Sequence, residues 1–213
     1  MHLYKSQMTE LAAFVSHPTT LANLEKDFYE WHRGRSHYYF WTIIVERPDW
    51  QQAMQHAAQH LQQFLVANYQ RAAHVTLLPA GFVNLEKLDF VATAKIAQGV
   101  EPFKLTLEAL GSFTTSLCFG VSAPQQQLLF LRQALRAVAF DANAQVDDID
   151  YLPHLTVGLY RDVFSTKVIA SEIRTCDCPH TEPFSVESIA LARYATDTIK
   201  GPFEILKRFP LGG

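Results

Sequence analysis

The chain has 213 residues, 48% of them hydrophobic and 18% charged, with a formal charge of −3. That is enough apolar material for one large domain or two small lobes, which excludes disorder. The balance of 18 basic against 21 acidic residues argues against coating a long nucleic acid, because such binding rests on neutralising many phosphates.

Taken in order, the first 35 residues are polar and predict a helix starting after Thr19 or Thr20, with Leu21, Leu24, Phe28 and Trp31 on one face and Gly34 at its end. HYYFWTIIV, ending at Val45, reads as a buried strand. A helix follows with Pro48 in its first turn and Trp50, Met54, Ala57, Leu61 and Phe64 as its apolar face. AAHVTLLPAG is a second strand, stopped by Pro79 and Gly81. Asn84 to Gly99 is read as a helix containing Leu85, Leu88 and Val91. FKLTLEALGSF and TTSLCFGVSA are two strands joined by a turn at Gly111 and Ser112. An amphipathic helix after Pro124 carries Leu128, Leu131, Leu135 and Val138, and YLPHLTVGLY is again a strand. FSVESIALARY, the turn TDTIKG and PFEILKRFPL form a closing hairpin.

No apolar run reaches the ~18–20 residues of a membrane span. The opening MHLYKSQMTE has neither the basic flank nor the apolar stretch of a secretory signal. Cys118, Cys176 and Cys178 are too few and too uneven for a disulfide framework. The expectation is a soluble, cytoplasmic, monomeric protein.

The order of elements is one pattern run twice: a helix leads into a strand that carries a histidine, and two strands follow. The tripeptides His74-Val75-Thr76 and His154-Leu155-Thr156 fall at equivalent places in the two halves. A third, His17-Pro18-Thr19, reads as a loop and helix cap. On a strand, residues i and i+2 share a face, so each imidazole lies beside a hydroxyl while Val75 and Leu155 point the other way. Two such strands side by side supply what phosphodiester cleavage needs. One neutral imidazole takes a proton, one imidazolium gives a proton, and the hydroxyls hold phosphoryl oxygens. No metal or cofactor is required by this arrangement.

The paired HVTLLPAG and PHLTVGLY segments resemble the two-histidine phosphoesterase superfamily, which includes the 2′-5′ RNA ligase family and cyclic phosphodiesterases. The likeness runs from about Tyr38 to Leu211 and takes in the F-x-L-x-L stretch from Phe103, the LxxLRQAL helix and the closing hairpin. The resemblance implies an α+β fold of two pseudo-symmetric lobes, with antiparallel sheets lining a central cleft and helices outside. Residues 36–213 would form that domain, and 1–35 an N-terminal helical extension. It further implies that His74 and His154 are the acid/base pair, that Thr76 and Thr156 bind phosphate, and that a 2′,3′-cyclic phosphate or RNA-end phosphate is opened to a 2′-phosphomonoester. A departure is Leu159, where many members carry Arg; Arg161 follows two residues later.

Other readings attach to single residues. Tyr160 and Arg161 are candidates to line the cleft, by stacking on a base and by clamping phosphate. Tyr39 and Trp41 are read as core. Cys176, Cys178 and His180 do not match common zinc spacing. Two other functions fit the same motifs: a nucleotide-binding module without turnover, and a 2′-5′ RNA end-joining or tRNA-processing enzyme. Clustering of Lys26, Arg33 and Arg35 would favour the last.

Overall fold

The computed structural model describes residues 11–23, 32–138, 151–198 and 200–212. The first element is a single helical turn, α1 (Leu11–Val15), which puts Phe14 into the core. β1 (His37–Ile44) follows, and its last five residues are buried. In α2 (Pro48–His60), Pro48 opens the helix and Asp49 sits in the first turn, where negative charge is favoured. Trp50, Ala53 and Ala57 form its buried face. β2 (His74–Gly81) carries the first tripeptide and continues through Pro79.

α3 (Phe90–Gln98) is capped by the Asp89 carboxylate, which accepts from the Ala92 N–H at 2.8 Å. Its buried positions are Thr93 and Ala97, while Val91 is 68% exposed, so the helix is turned away from the predicted face. β3 (Phe103–Ser112) and β4 (Ser116–Ser122) form a hairpin. The strand runs on through Ser112, placing the turn later than predicted. α4 (Gln125–Val138) buries Leu128, Leu131 and Leu135, as its periodicity requires. β5 (His154–Leu159) carries the second tripeptide.

Two C-terminal features differ from expectation. α5 (Thr166–Thr175), absent from the predicted elements, buries Ile169, Ala170 and Ile173 along one face. The predicted strand FSVESIALARY is broken at Glu187 into β6 (Phe184–Val186) and β7 (Ser188–Ala195). β6 pairs with β3, whereas β7 pairs with β1 and forms a hairpin with β8 (Phe203–Pro210). The predicted helix from Thr19 or Thr20 does not begin there. Leu21 to Asn23 is not helical, and Thr20 instead accepts the Phe164 N–H on its hydroxyl at 2.8 Å. Leu24, Phe28 and Trp31 lie outside the described residues.

All strands are antiparallel neighbours in one eight-stranded sheet, β6-β3-β4-β5-β2-β1-β7-β8. The two lobes are four-stranded halves of this sheet, and β2 and β5 meet in the middle through one ladder pair, Val75 with Leu155. The helices on its core side are exchanged: α2 packs against β5, and α4 against β2. Both lobes therefore share the core beneath the seam, where Val75, Leu77, Leu131 and Leu155 are fully buried. No helix among the described residues is long and apolar enough to cross a membrane.

Candidate active site

The seam sets the geometry of the two tripeptides. With Val75 paired to Leu155 in antiparallel register, the next residues on either side bring His74 opposite Thr156 and Thr76 opposite His154. Neighbours so placed are roughly 4.5–5.5 Å apart at Cα. Each imidazole thus faces the hydroxyl-bearing residue of the other motif across an approximate two-fold axis. Val75 and Leu155 are fully buried on the opposite face, while Thr76 and Thr156 are half-buried on this one.

Immediately after each threonine the strand carries an extra residue. In β2, Thr76 pairs with Thr42 and Leu78 with Trp41, leaving Leu77 unmatched. In β5, Thr156 pairs with Cys118 and Gly158 with Leu117, leaving Val157 unmatched. Bulges of this kind bend a strand and increase its twist. Here they fall at equivalent points and limit the contact between β2 and β5 to the short stretch bearing the histidines.

Both rings are held in the same way. His74 Nδ1–H donates to the Ala72 carbonyl at 2.7 Å, and His154 Nδ1–H donates to the Leu152 carbonyl at 2.8 Å. A carbonyl can only accept, so Nδ1 carries the proton in each ring and Nε2 is the remaining acceptor. Phe203 packs edge-on against His74 and Phe113 against His154, each at 4.9 Å between ring centres. Burial pushes the His74 pKa down to about 4, against the raising effect of the Ala72 bond; the charges of Arg71 and His154 lower it further. His154 is also lowered, by burial, with its Leu152 bond acting in the other direction. At neutral pH the site therefore presents two neutral imidazoles, able to accept protons at Nε2.

A clasp from the second lobe holds the first motif from behind. The Tyr151 hydroxyl donates to the Thr76 carbonyl at 2.9 Å, and the Arg132 guanidinium donates to the Leu77 carbonyl. Arg132 also lies 3.8 Å over the Tyr151 ring. These bonds take the place of ladder bonds that β2 and β5 cannot make once the bulges part them. Sequence patterning carries no sign of Tyr151, and it places Arg132 only within a helix.

Alternation along the strand would put Tyr160 on the histidine face, and the structure corrects this. The extra residue Val157 reverses the alternation, so Gly158 and Tyr160 turn into the core and Leu159 takes the site face. Tyr160 is fully buried and its hydroxyl meets Ser112 Oγ. A Cβ on Gly158 would stand 2.9 Å from the Leu65 side chain, confirming which way that position points. Arg161 lies on an exposed bend beyond β5, its N–H bound to the Phe64 carbonyl. No hydrogen bond or ring contact among the described residues links it to either histidine. Trp41 is core, packed 5.6 Å from Phe209, and Tyr39 is half-buried.

Arg35 stacks 3.7 Å over Phe82, Arg33 is exposed, and Lys26 lies outside the described residues. Cys176 and Cys178 hold their sulfurs 3.4 Å apart, while His180 bonds Glu182. Among the described residues no group of three His, Cys, Asp or Glu side chains is placed to hold a metal ion.

Comparison with known structures agrees with this architecture. The chain is similar to TT0787 of Thermus thermophilus, with 21% identity over 83% of this chain and 98% of that one and a TM-score of 0.59. It is similar to E. coli LigT in its apo form, with 23% identity over 84% and 100% of the two chains and a TM-score of 0.55. LigT complexed with 3′-AMP matches at 22% identity over the same shares, with a TM-score of 0.55. No curated protein matches the chain. The model of the 2′-5′ RNA ligase superfamily matches residues 45–198, a span that contains both tripeptides, both bulges and the seam between them. On that match, the chain belongs to the 2′-5′ RNA ligase superfamily.

Proposed function

We propose that this protein is a phosphodiesterase that opens 2′,3′-cyclic nucleotide or RNA-end phosphates, with His74 and His154 as its proton-transfer pair. Membership in the superfamily supports phosphoester chemistry or RNA end-processing in general, and LigT, of like fold, has been captured with 3′-AMP. The observation that carries the finer reading is the cross-seam register. It faces two imidazoles and two hydroxyls toward one another, with both Nδ1 atoms already committed to carbonyls.

In the proposed step, a water oxygen forms a bond to phosphorus as neutral Nε2 of one histidine takes its proton. The P–O3′ bond breaks, and the protonated Nε2 of the other histidine delivers its proton to O3′. A 2′-phosphomonoester results, and proton exchange with solvent restores the pair. Thr76 and Thr156 donate hydrogen bonds to the non-bridging oxygens, where charge builds up. Arg71 adds to burial in opposing a charge on His74, which supports His74 as the base and His154 as the acid. The bound phosphodiester anion raises the pKa of the acid, which takes its proton from solvent before the step.

The test is hydrolysis of 2′,3′-cyclic nucleotides, followed by phosphorus NMR of the product. His74→Ala and His154→Ala should each lower turnover roughly 10²–10⁴-fold with the circular dichroism spectrum unchanged. Full activity in either variant would overturn the assignment, and nucleotide binding without turnover in the unaltered protein would leave a binding module.

A further inference from the structure

We propose that Arg71 and Tyr69 form an anion subsite on the His74 side of the cleft, which takes a second phosphate of the substrate, the 5′-phosphate of a cyclic-phosphate nucleotide. The inference rests on the phosphodiesterase reading above and names the class of substrate that reading leaves open.

Arg71 comes three residues before His74, on the chain entering β2, and it is fixed from outside by the β7–β8 loop. The Gln70 N–H donates to the Lys200 carbonyl at 2.8 Å. Gly201 lies against Arg71 with φ of +85°; a Cβ there would stand 2.8 Å from Arg71 Cγ and 3.1 Å from its backbone nitrogen. Glycine is thus required both by the backbone angle and by the close approach. So confined, the guanidinium sits 4.5 Å over the Tyr194 ring and 6.0 Å from the Tyr69 ring.

Two buried polar atoms in this corner, Arg71 Nε and the Tyr69 hydroxyl, lack a well-formed hydrogen bond, the guanidinium itself being the nearest group to the phenol. Buried polar groups are nearly always satisfied, and an unsatisfied one is costly, more so when charged. Arg71 also makes no ion pair with a carboxylate among the described residues. Its charge, and its hydrogen-bonding approach to both phenols, favour ionisation of Tyr69 and Tyr194, but burial is the larger effect and keeps both phenols protonated. The corner therefore offers a guanidinium fork, which can only donate, beside phenolic hydroxyls that donate as well as accept. That is the complement of a phosphate, which has acceptors only.

The position relative to His74 sets the second phosphate apart from the first. Between Arg71 and the imidazole stand aromatic rings: Tyr194 is 5.8 Å from Phe40, and Phe40 is 5.6 Å from His74. Tyr38 packs on Tyr194 at 5.4 Å, and Phe203 lies 5.4 Å from Phe40. Arg71 makes no hydrogen bond to the ring it flanks, whose Nδ1 is taken by Ala72. A phosphate at Arg71 is thus separate from the one addressed by the two Nε2 atoms, with the Tyr194 and Phe40 rings packed between the two positions.

Calorimetry with a nucleoside 2′,5′-bisphosphate and the matching 2′-monophosphate tests this without requiring turnover. The unaltered protein should bind the bisphosphate roughly 10–100-fold more tightly, and Arg71→Met should abolish that preference. Arg71→Lys should restore part of it, and Tyr69→Phe should reduce it several-fold, a check that survives if Arg71→Met fails to fold. Equal affinity for the two ligands in the unaltered protein, or an equal loss for both in Arg71→Met, would overturn the subsite. Turnover of 2′,3′-cyclic nucleotides with and without a 5′-phosphate separates the two proposals. An Arg71-dependent preference in binding with no turnover sinks the phosphodiesterase reading alone. Good turnover indifferent to the 5′-phosphate sinks the subsite alone.

Discussion

Around His154 stand the Leu152 carbonyl and the Phe113 ring; around His74 stand the Ala72 carbonyl, Phe203 and Phe40, with Tyr194, Tyr38 and Arg71 behind them. The backbone devices are the same in both lobes: a carbonyl two residues upstream, a threonine two residues downstream, and an extra residue immediately after it. What differs among the described residues is the side-chain packing: more aromatic rings gather on the His74 side, with Arg71 behind them. Symmetry in the main chain sets the two imidazoles alike, and on the proposed mechanism it is the asymmetry in packing that would divide acid from base.

The largest effect expected from testing this comparison is one of equality. Thr76→Val and Thr156→Val each remove a hydroxyl at nearly constant volume, and each should lower kcat roughly 10²–10³-fold. A loss confined to one lobe would show that the main-chain symmetry does not extend to the phosphate.

The pH response comes next and should reveal the asymmetry. Both imidazoles have pKa values below 6.5 in the free protein, that of His74 at about 4. The state with one ring neutral and one protonated is therefore most populated below neutrality, and kcat/KM should rise as the pH is lowered from 7. Arg71→Met should move the acid limb upward by removing a charge that opposes protonation of His74. Stability follows the same titration. Above pH 6.5 the folded and unfolded chains both hold neutral histidine, whereas between 6.5 and about 4 the unfolded chain takes up a proton that the folded site resists. Stability should fall as the pH drops through that window, by roughly 2–4 kcal/mol for a shift of this size. Urea unfolding at pH 7 and pH 4.5 measures it, and His74→Gln should flatten the dependence.

Smaller effects test the seam. Arg132→Met leaves the Leu77 carbonyl without its buried donor and should cost about 1–3 kcal/mol. Tyr151→Phe, which removes a single neutral bond to the Thr76 carbonyl, should cost about 1 kcal/mol. If neither substitution changes the urea midpoint, the clasp contributes nothing to joining the lobes.

Much of this architecture is legible in the amino-acid order. Alternation in AAHVTLLPAG and YLPHLTVGLY, bounded by polar or turn residues, locates both histidine strands, and the helical spacing of Leu128, Leu131 and Leu135 locates α4. Apart from α5, whose Ile169, Ala170 and Ile173 face is a local signal, the features that escape it depend on a partner distant in sequence. An extra residue after Thr156 exists only relative to β4, so nothing local warns that Tyr160 turns inward. Nothing around Glu187 shows that the strands before and after it join opposite ends of the sheet. Arg71 lies in an unpatterned stretch, and its significance comes from Tyr194 and Gly201, more than a hundred residues away.

The return of the C-terminal hairpin to the first lobe bears on how the chain is made. The first lobe needs β7 and β8, the last of these eight strands to leave a ribosome, while β3, β4 and most of the second lobe emerge earlier. Until residues 188–210 are available, β1 has an unpaired edge along most of its length, the kind of surface that recruits foreign strands. No single cut divides this polypeptide into two self-sufficient halves, and a version trimmed after Glu187 should aggregate rather than fold as a half-enzyme.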